Sequence, residues 1–180
     1  MTTPAYQPKI DWTDWQPATG SEYERILSVI APQLHPYVAE HAQLGALMDQ
    51  VREGYQPAIY EKALAAIGEE LEHHFHYEET CILPRLANHI PATDVGPIKK
   101  LKQEHQVIRK NHQEAVQLFA ARSTEDPDKD LLQKMNMLAY LLKKHIEKED
   151  HYFFPMVSLI LTEEEKDQIA DELQQLHAGQ

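Results

Sequence analysis

The chain has 180 residues, a net charge of −12, eleven histidines and one cysteine, Cys81. Its length makes one domain with a real core, and its acidity excludes nucleic acid and anionic membrane surfaces, which need basic patches. The lone cysteine forbids an internal disulfide. Residues 1–20 lack a signal-peptide pattern and no apolar run reaches membrane-spanning length, so a soluble, cytoplasmic protein is expected. Six glycines and an excess of Ala, Leu, Glu, Gln and Lys favour helix throughout.

Residues 1–20 carry Pro4, Pro8, Pro17, Gly20 and the pair Trp12 and Trp15. They read as an extended arm that the tryptophans clamp onto the remainder. Ser21 with Glu24 is a capping-box pattern opening a short helix over about 22–31. A first long helix is expected over about 36–53, with the seam Tyr37, His41, Leu44, Met48, Val51. Steps of four and three are those of a bundle helix. Gly54 to Pro57 ends it. The second helix, about 58–83, has the seam Tyr60, Leu64, Ile67, Leu71, His74, Glu78, Cys81, and Pro84 marks its exit. The third, about 95–122, has Leu101, His105, Ile108, His112, Ala115, Phe119. The fourth, about 128–154, has Leu131, Met135, Leu138, Leu142, His145, Glu149, Tyr152. Thr162 with Glu165 opens a last amphipathic helix over 162–177. The expected fold is all-α: an antiparallel up-down-up-down four-helix bundle over 21–157, with an N-terminal arm and short helix and an extra C-terminal helix in the same domain.

One stretch occurs twice. His74-x-x-x-Glu78 is followed by Pro84, and His145-x-x-x-Glu149 by Pro155, with Glu40-His41 and Glu104-His105 upstream. Residues equidistant from a hairpin turn lie at one height. His41 and His74 have their midpoint in the first turn, and His105 and His145 in the third. Glu78 and His105 straddle the second. Four histidines and two glutamates therefore share a layer. Residues four apart on a helix share a face, about 6 Å apart along the axis. Two buried carboxylates without partners would be very costly, and metal cations among four imidazoles resolve that cost. The metal ligands expected are His41, His74, Glu78, His105, His145 and Glu149. His73, His76 and His151 point away from the seams, and His35, His89 and His177 are expected to face solvent or cap helices. His112 is on its seam but about 10 Å along the axis from His105, and is expected in the core or behind a ligand.

The set Glu40-His41, His74-x-x-x-Glu78-Glu79 to Pro84, Glu104-His105 and His145-x-x-x-Glu149-Asp150 to Pro155 resembles the haemerythrin-like, or HHE cation-binding, family over residues 33–157. The resemblance implies a non-haem di-iron centre with an oxo or hydroxo bridge. His41 and His74 would hold one iron, His105 and His145 the other, and Glu78 and Glu149 would bridge them. In one respect the chain departs from the oxygen carriers: Arg109 stands where they have a further histidine, which leaves open positions on the metals and argues against reversible oxygen carriage. The cysteine-containing N-terminal segment of the iron–sulfur repair members is absent as well.

Mixed imidazole and carboxylate ligation suits iron, with manganese and zinc as alternatives. Cys81 and Tyr152 each follow a bridging glutamate by three residues; they either pack or serve a bound ligand. The favoured function is a non-catalytic di-iron protein that responds to oxygen, nitric oxide or peroxide, or buffers iron; the sequence names no protein partner. A di-iron enzyme and a purely structural metal site are the competing readings.

Overall fold

The computed structural model describes residues 20–90, 96–123 and 127–178; the expected arm with Trp12 and Trp15 lies outside them. Among the described residues every regular element is helical. Helix α1 (Gly20–Val29) and a 3-10 turn (Pro32–Leu34) lead into α2 (His35–Glu53). Helix α3 covers residues 57–86, α4 is Pro97–Ala120, α5 covers residues 129–160 and α6 is Glu163–Ala178. Helices α2 and α4 each pack on both α3 and α5, so the four long helices close into a ring, and α6 lies against the 3-10 turn. The chain is thus a helical bundle. No helix of the described residues is long and apolar enough to cross a membrane.

Several helix ends follow from local chemistry. Gly54, at φ 152°, takes a backbone conformation that side chains resist and ends α2. Asp128 caps α5 by accepting the N–H of Asp130 at 3.1 Å. The expected box at α6 forms reciprocally: Thr162 N–H donates to Glu165 at 2.9 Å, and Glu165 N–H donates to Thr162 Oγ1 at 3.2 Å. The one at α1 does not form, because that helix already contains Gly20 and Ser21.

Pro84, expected to mark a helix exit, and Pro155, just past the expected end of another helix, both lie inside helices. Both α3 and α5 widen to π turns, Glu78–Ile82 and Glu149–Phe153, before resuming as α-helix through Pro84 and Pro155. A proline has no N–H and crowds the carbonyl four residues back, so an α turn cannot close there. In both helices the residue before the proline bonds five residues back instead: Leu83 N–H to the Glu78 carbonyl, and Phe154 N–H to that of Glu149. The repeated Glu-to-Pro spacing therefore encodes a wide turn at each glutamate. Helix α3 has a further π turn, Glu70–Phe75, which α5 lacks.

The apolar core is in two pieces. One contains Met48, Tyr60, Ile67, Phe75, Ile108, Leu138 and Ile146. The other contains Ile26, Leu34, Tyr37, Tyr77, Leu101, Phe154 and Ile169. On each long helix a buried histidine stands near the place where the chain passes from one cluster to the other: His41, His74, His105 and His145. A polar layer thus crosses the bundle between two apolar blocks.

Candidate metal centre

All six residues predicted from spacing meet in that layer, and all are almost fully buried. The two glutamates each aim their oxygens at two different histidine pairs. Glu78 Oε1 lies 3.0 Å from His74 Nε2, and its Oε2 lies 3.2 Å from His105 Nε2. Glu149 Oε2 lies 3.2 Å from His41 Nε2 and 3.5 Å from His74 Nε2. Its Oε1 lies 2.5 Å from His145 Nε2 and 3.6 Å from His105 Nε2. The histidines therefore fall into the pairs His41/His74 and His105/His145, with both carboxylates spanning them.

Behind the layer, every imidazole turns its other nitrogen to a carboxylate. The Nδ1–H of His41 donates to Asp150 at 2.7 Å and that of His105 to Glu79 at 2.7 Å. His145 Nδ1 stands 3.3 Å from Glu104, and His74 Nδ1 is 3.4 Å from Glu40 and 3.1 Å from Glu70. Four of these carboxylates adjoin a member of the layer in sequence, and each serves an imidazole on a neighbouring helix. Such partners fix the tautomer so that Nε2 presents its lone pair to the centre. Phe75 stacks on His105 with ring centroids 3.8 Å apart, and Phe154 on His41 at 5.6 Å, which fixes the ring planes.

The hemerythrin HHE cation binding domain matches this chain over residues 33–157. The chain belongs to that family. Among curated proteins and solved structures nothing matched it.

A member of a cation-binding family should offer a cation a site, and the buried His/Glu cluster of this hemerythrin-family chain fits one. His41, His105 and His145 Nε2, Glu78 Oε2 and both oxygens of Glu149 are shut from water and make no hydrogen bond of good geometry. Buried polar atoms left in that condition are costly, and coordination would satisfy them together. The electrostatics agree. Burial works against a charge on His41, but Asp150 and Glu149 hold it up to about 10. At His105 burial again opposes, and Glu149 and Glu78 hold it up to about 10. Burial alone would raise Glu149, yet His145, His105 and His41 carry it well below the usual carboxylate range. At Glu149 the surrounding imidazoles outweigh burial and hold the carboxylate ionised.

Other expectations divide. His73 and His76 are exposed, as expected, and His177 is exposed in α6. His89 pairs with Glu165 at the surface, and His35 caps α1 through the carbonyls of Leu27 and Ile30. His112 bonds the Leu64 carbonyl at 2.8 Å and takes no part in the cluster. His151 was expected to point away and is instead fully buried, 3.0 Å from Glu147, with burial pushing it down to about 4. The π turn is the reason: a wider turn brings consecutive residues Glu149, Asp150 and His151 all inward. Cys81 packs against the second apolar cluster, and burial pushes its thiol up. Tyr152 is half-buried.

Two residues were missed. Glu70 groups with His41 and His74 as a second possible ion-holding set, beside that of Glu78, His105, His145 and Glu149. Its position four before His74 was the available signal. Tyr37, read only as a seam residue, meets His74 edge-on at 4.5 Å, and its hydroxyl is buried without a hydrogen-bond partner. Arg109 points its guanidinium at Glu79, 2.7 and 3.1 Å away, and so steadies the carboxylate that holds His105.

Proposed function

We propose that the four long helices run up-down-up-down and hold two iron ions joined by an oxo or hydroxo bridge. His41 and His74 ligate one ion, His105 and His145 the other, and Glu78 and Glu149 bridge them. The observation that carries this reading is the division of each carboxylate's oxygens between the two histidine pairs. The donor set, imidazole with carboxylate, suits iron, and manganese and zinc are the metals it must be tested against.

We assign the protein to binding and response rather than turnover: it takes up oxygen, nitric oxide or peroxide, or buffers iron. A ferrous pair with open positions supplies reducing chemistry toward such ligands. The chain's own residues supply the remainder. Glu40, Glu79, Glu104 and Asp150 hold the four imidazole tautomers, Phe75 and Phe154 hold the ring planes, and two apolar clusters keep bulk water from the layer.

The test is metal analysis of protein purified without added metal, followed by reduction and exposure to oxygen and to nitric oxide. About two irons per chain and an optical change with either gas are expected. Zinc that exchanges with nothing, or iron that responds to neither gas, would refute the reading. Turnover of peroxide or nitric oxide beyond stoichiometric amounts would make the protein an enzyme.

A further inference from the structure

The two histidine pairs do not have equal surroundings. A groove of about 540 Å³ opens between α2, α3 and α6, and its lining includes Tyr37, Glu40, Glu70, His74, Leu173 and His177. Its inner residues belong to the His41/His74 side; neither His105 nor His145 lines it. Glu70 marks where the groove meets the layer. Its side chain is nine-tenths buried, and Oε1 is shut from water without a hydrogen bond of good geometry. That oxygen stands 3.7 Å from His41 Nε2, which faces the centre, and 3.1 Å from His74 Nδ1, which faces away from it, so it sits at the margin of the layer. A buried carboxylate oxygen in that condition is costly unless a cation shares it.

The second hairpin has no glutamate at the matching position. Glu70 lies four residues before His74, and the residue four before His145 is Leu141. The π turn that begins at Glu70 has no counterpart in α5, which stays α-helical from Lys129 through Lys148. Local backbone and side chain differ together at this one place.

Resting on the dinuclear reading above, we propose that Glu70 is an additional, displaceable ligand of the ion held by His41 and His74, and that the groove is the path by which cations and small ligands reach that ion. The ion at His105 and His145 is the enclosed partner, held without a third terminal carboxylate and exchanging slowly. A carboxylate at the inner end of an open groove can follow a cation inward and swing aside when an external ligand takes its position.

The experiment starts from chains loaded with two ferrous ions. Release to a coloured ferrous chelator is followed in wild type, Glu70→Leu (the residue of the matching position in α5), Glu70→Gln and Ala46→Trp, with circular dichroism confirming the fold of each. Ala46 is exposed on the groove wall and is not a member of the layer. Wild type should release its irons in two phases of equal size, with rates differing at least tenfold. Glu70→Leu and Glu70→Gln should speed the fast phase about tenfold and leave the slow one unchanged; Ala46→Trp should slow the fast phase. Mössbauer spectra should show two unequal irons that become more alike in Glu70→Leu. A wild type that loads two irons and releases them in one phase, or a Glu70→Leu chain that releases both as wild type does, overturns the role of Glu70. A wild type that never loads two ions overturns the dinuclear reading, and this inference with it.

Discussion

The hairpin α2–α3 and the hairpin α4–α5 carry one pattern and do unequal work. Each presents Glu-His on its first helix and His-x-x-x-Glu followed by an acid on its second, and each closes a π turn before a proline. Yet Glu149 approaches all four imidazoles, at 2.5 to 3.6 Å, whereas the pairs made by Glu78 are with His74 and His105 alone. The outer acids differ too. Asp150 is buried, while Glu79 is part-exposed and shared with Arg109. A doubled motif thus fixes the plan of the layer, and the residues around it make its two halves unequal.

The sharpest break in that comparison is removal of the bridging carboxylates one at a time. Glu149→Ala should lose one or both ions, and Glu78→Ala should lose less, because its carboxylate serves half as many imidazoles. Helical circular dichroism should survive in both, since the apolar clusters on either side of the layer are untouched. Metal counting by plasma emission reads the outcome; two ions retained in Glu149→Ala would remove that residue from the ligand set. Chelation of the wild type should act in the same direction. The helices remain but Tm falls, because ligands bound only to the folded chain add RT ln(1 + [L]/Kd) to its stability. A Tm unchanged by chelation would mean the layer is stable on its carboxylate–imidazole pairs alone.

The next contrast lies one shell out. Asp150→Asn leaves His41 with an amide oxygen or a mismatched N–H on Nδ1, and Glu79→Gln does the same to His105. Outer partners of metal-bound histidines typically cost about 10- to 100-fold in affinity when changed. Asp150→Asn should sit at the upper end and weaken the His41/His74 ion, because Asp150 is shut from water that could replace it. Glu79→Gln should sit at the lower end and act on the other ion. Competition titration with a chelator of known affinity orders the two; the reverse order would mean that burial is not what sets their worth.

How much of this was legible in the chain depends on the period assumed. The layer could be read because α-helical spacing holds from the turns up to His41, His105 and His145, so counting residues sets their heights; His74 lies inside the π turn Glu70–Phe75 and still meets the layer. Beyond the glutamates the count fails. A π turn inserts a residue, and the seam logic that placed His151 outside and ended helices at Pro84 and Pro155 assumed an unbroken 3.6-residue period. The repeated Glu-to-Pro spacing held the warning, because a proline inside a continuing helix must open the turn before it. Asp150, Glu79, Glu40 and Glu104 were visible as neighbours of the six residues, but which imidazole each would hold depends on helix-to-helix contacts. Glu70 was hidden by a different cause: only the first hairpin has it, so a search for symmetry passed over it.

The smallest effect expected belongs to Arg109. Its guanidinium sits on Glu79 in a two-point pair, one-third exposed, with Phe75 beneath it 5.8 Å from ring centre to charge. Exposed ion pairs contribute about 0.2–1 kcal/mol, and Glu79 would keep His105 through its own bond. Arg109→Ala should therefore lower Tm by a few degrees at most and leave both ions bound, with any loosening confined to the His105/His145 ion. Calorimetry and chelator release on the same preparation separate the two effects. Loss of the His41/His74 ion instead would show that the halves are coupled through the bridging carboxylates more tightly than their separate outer acids imply.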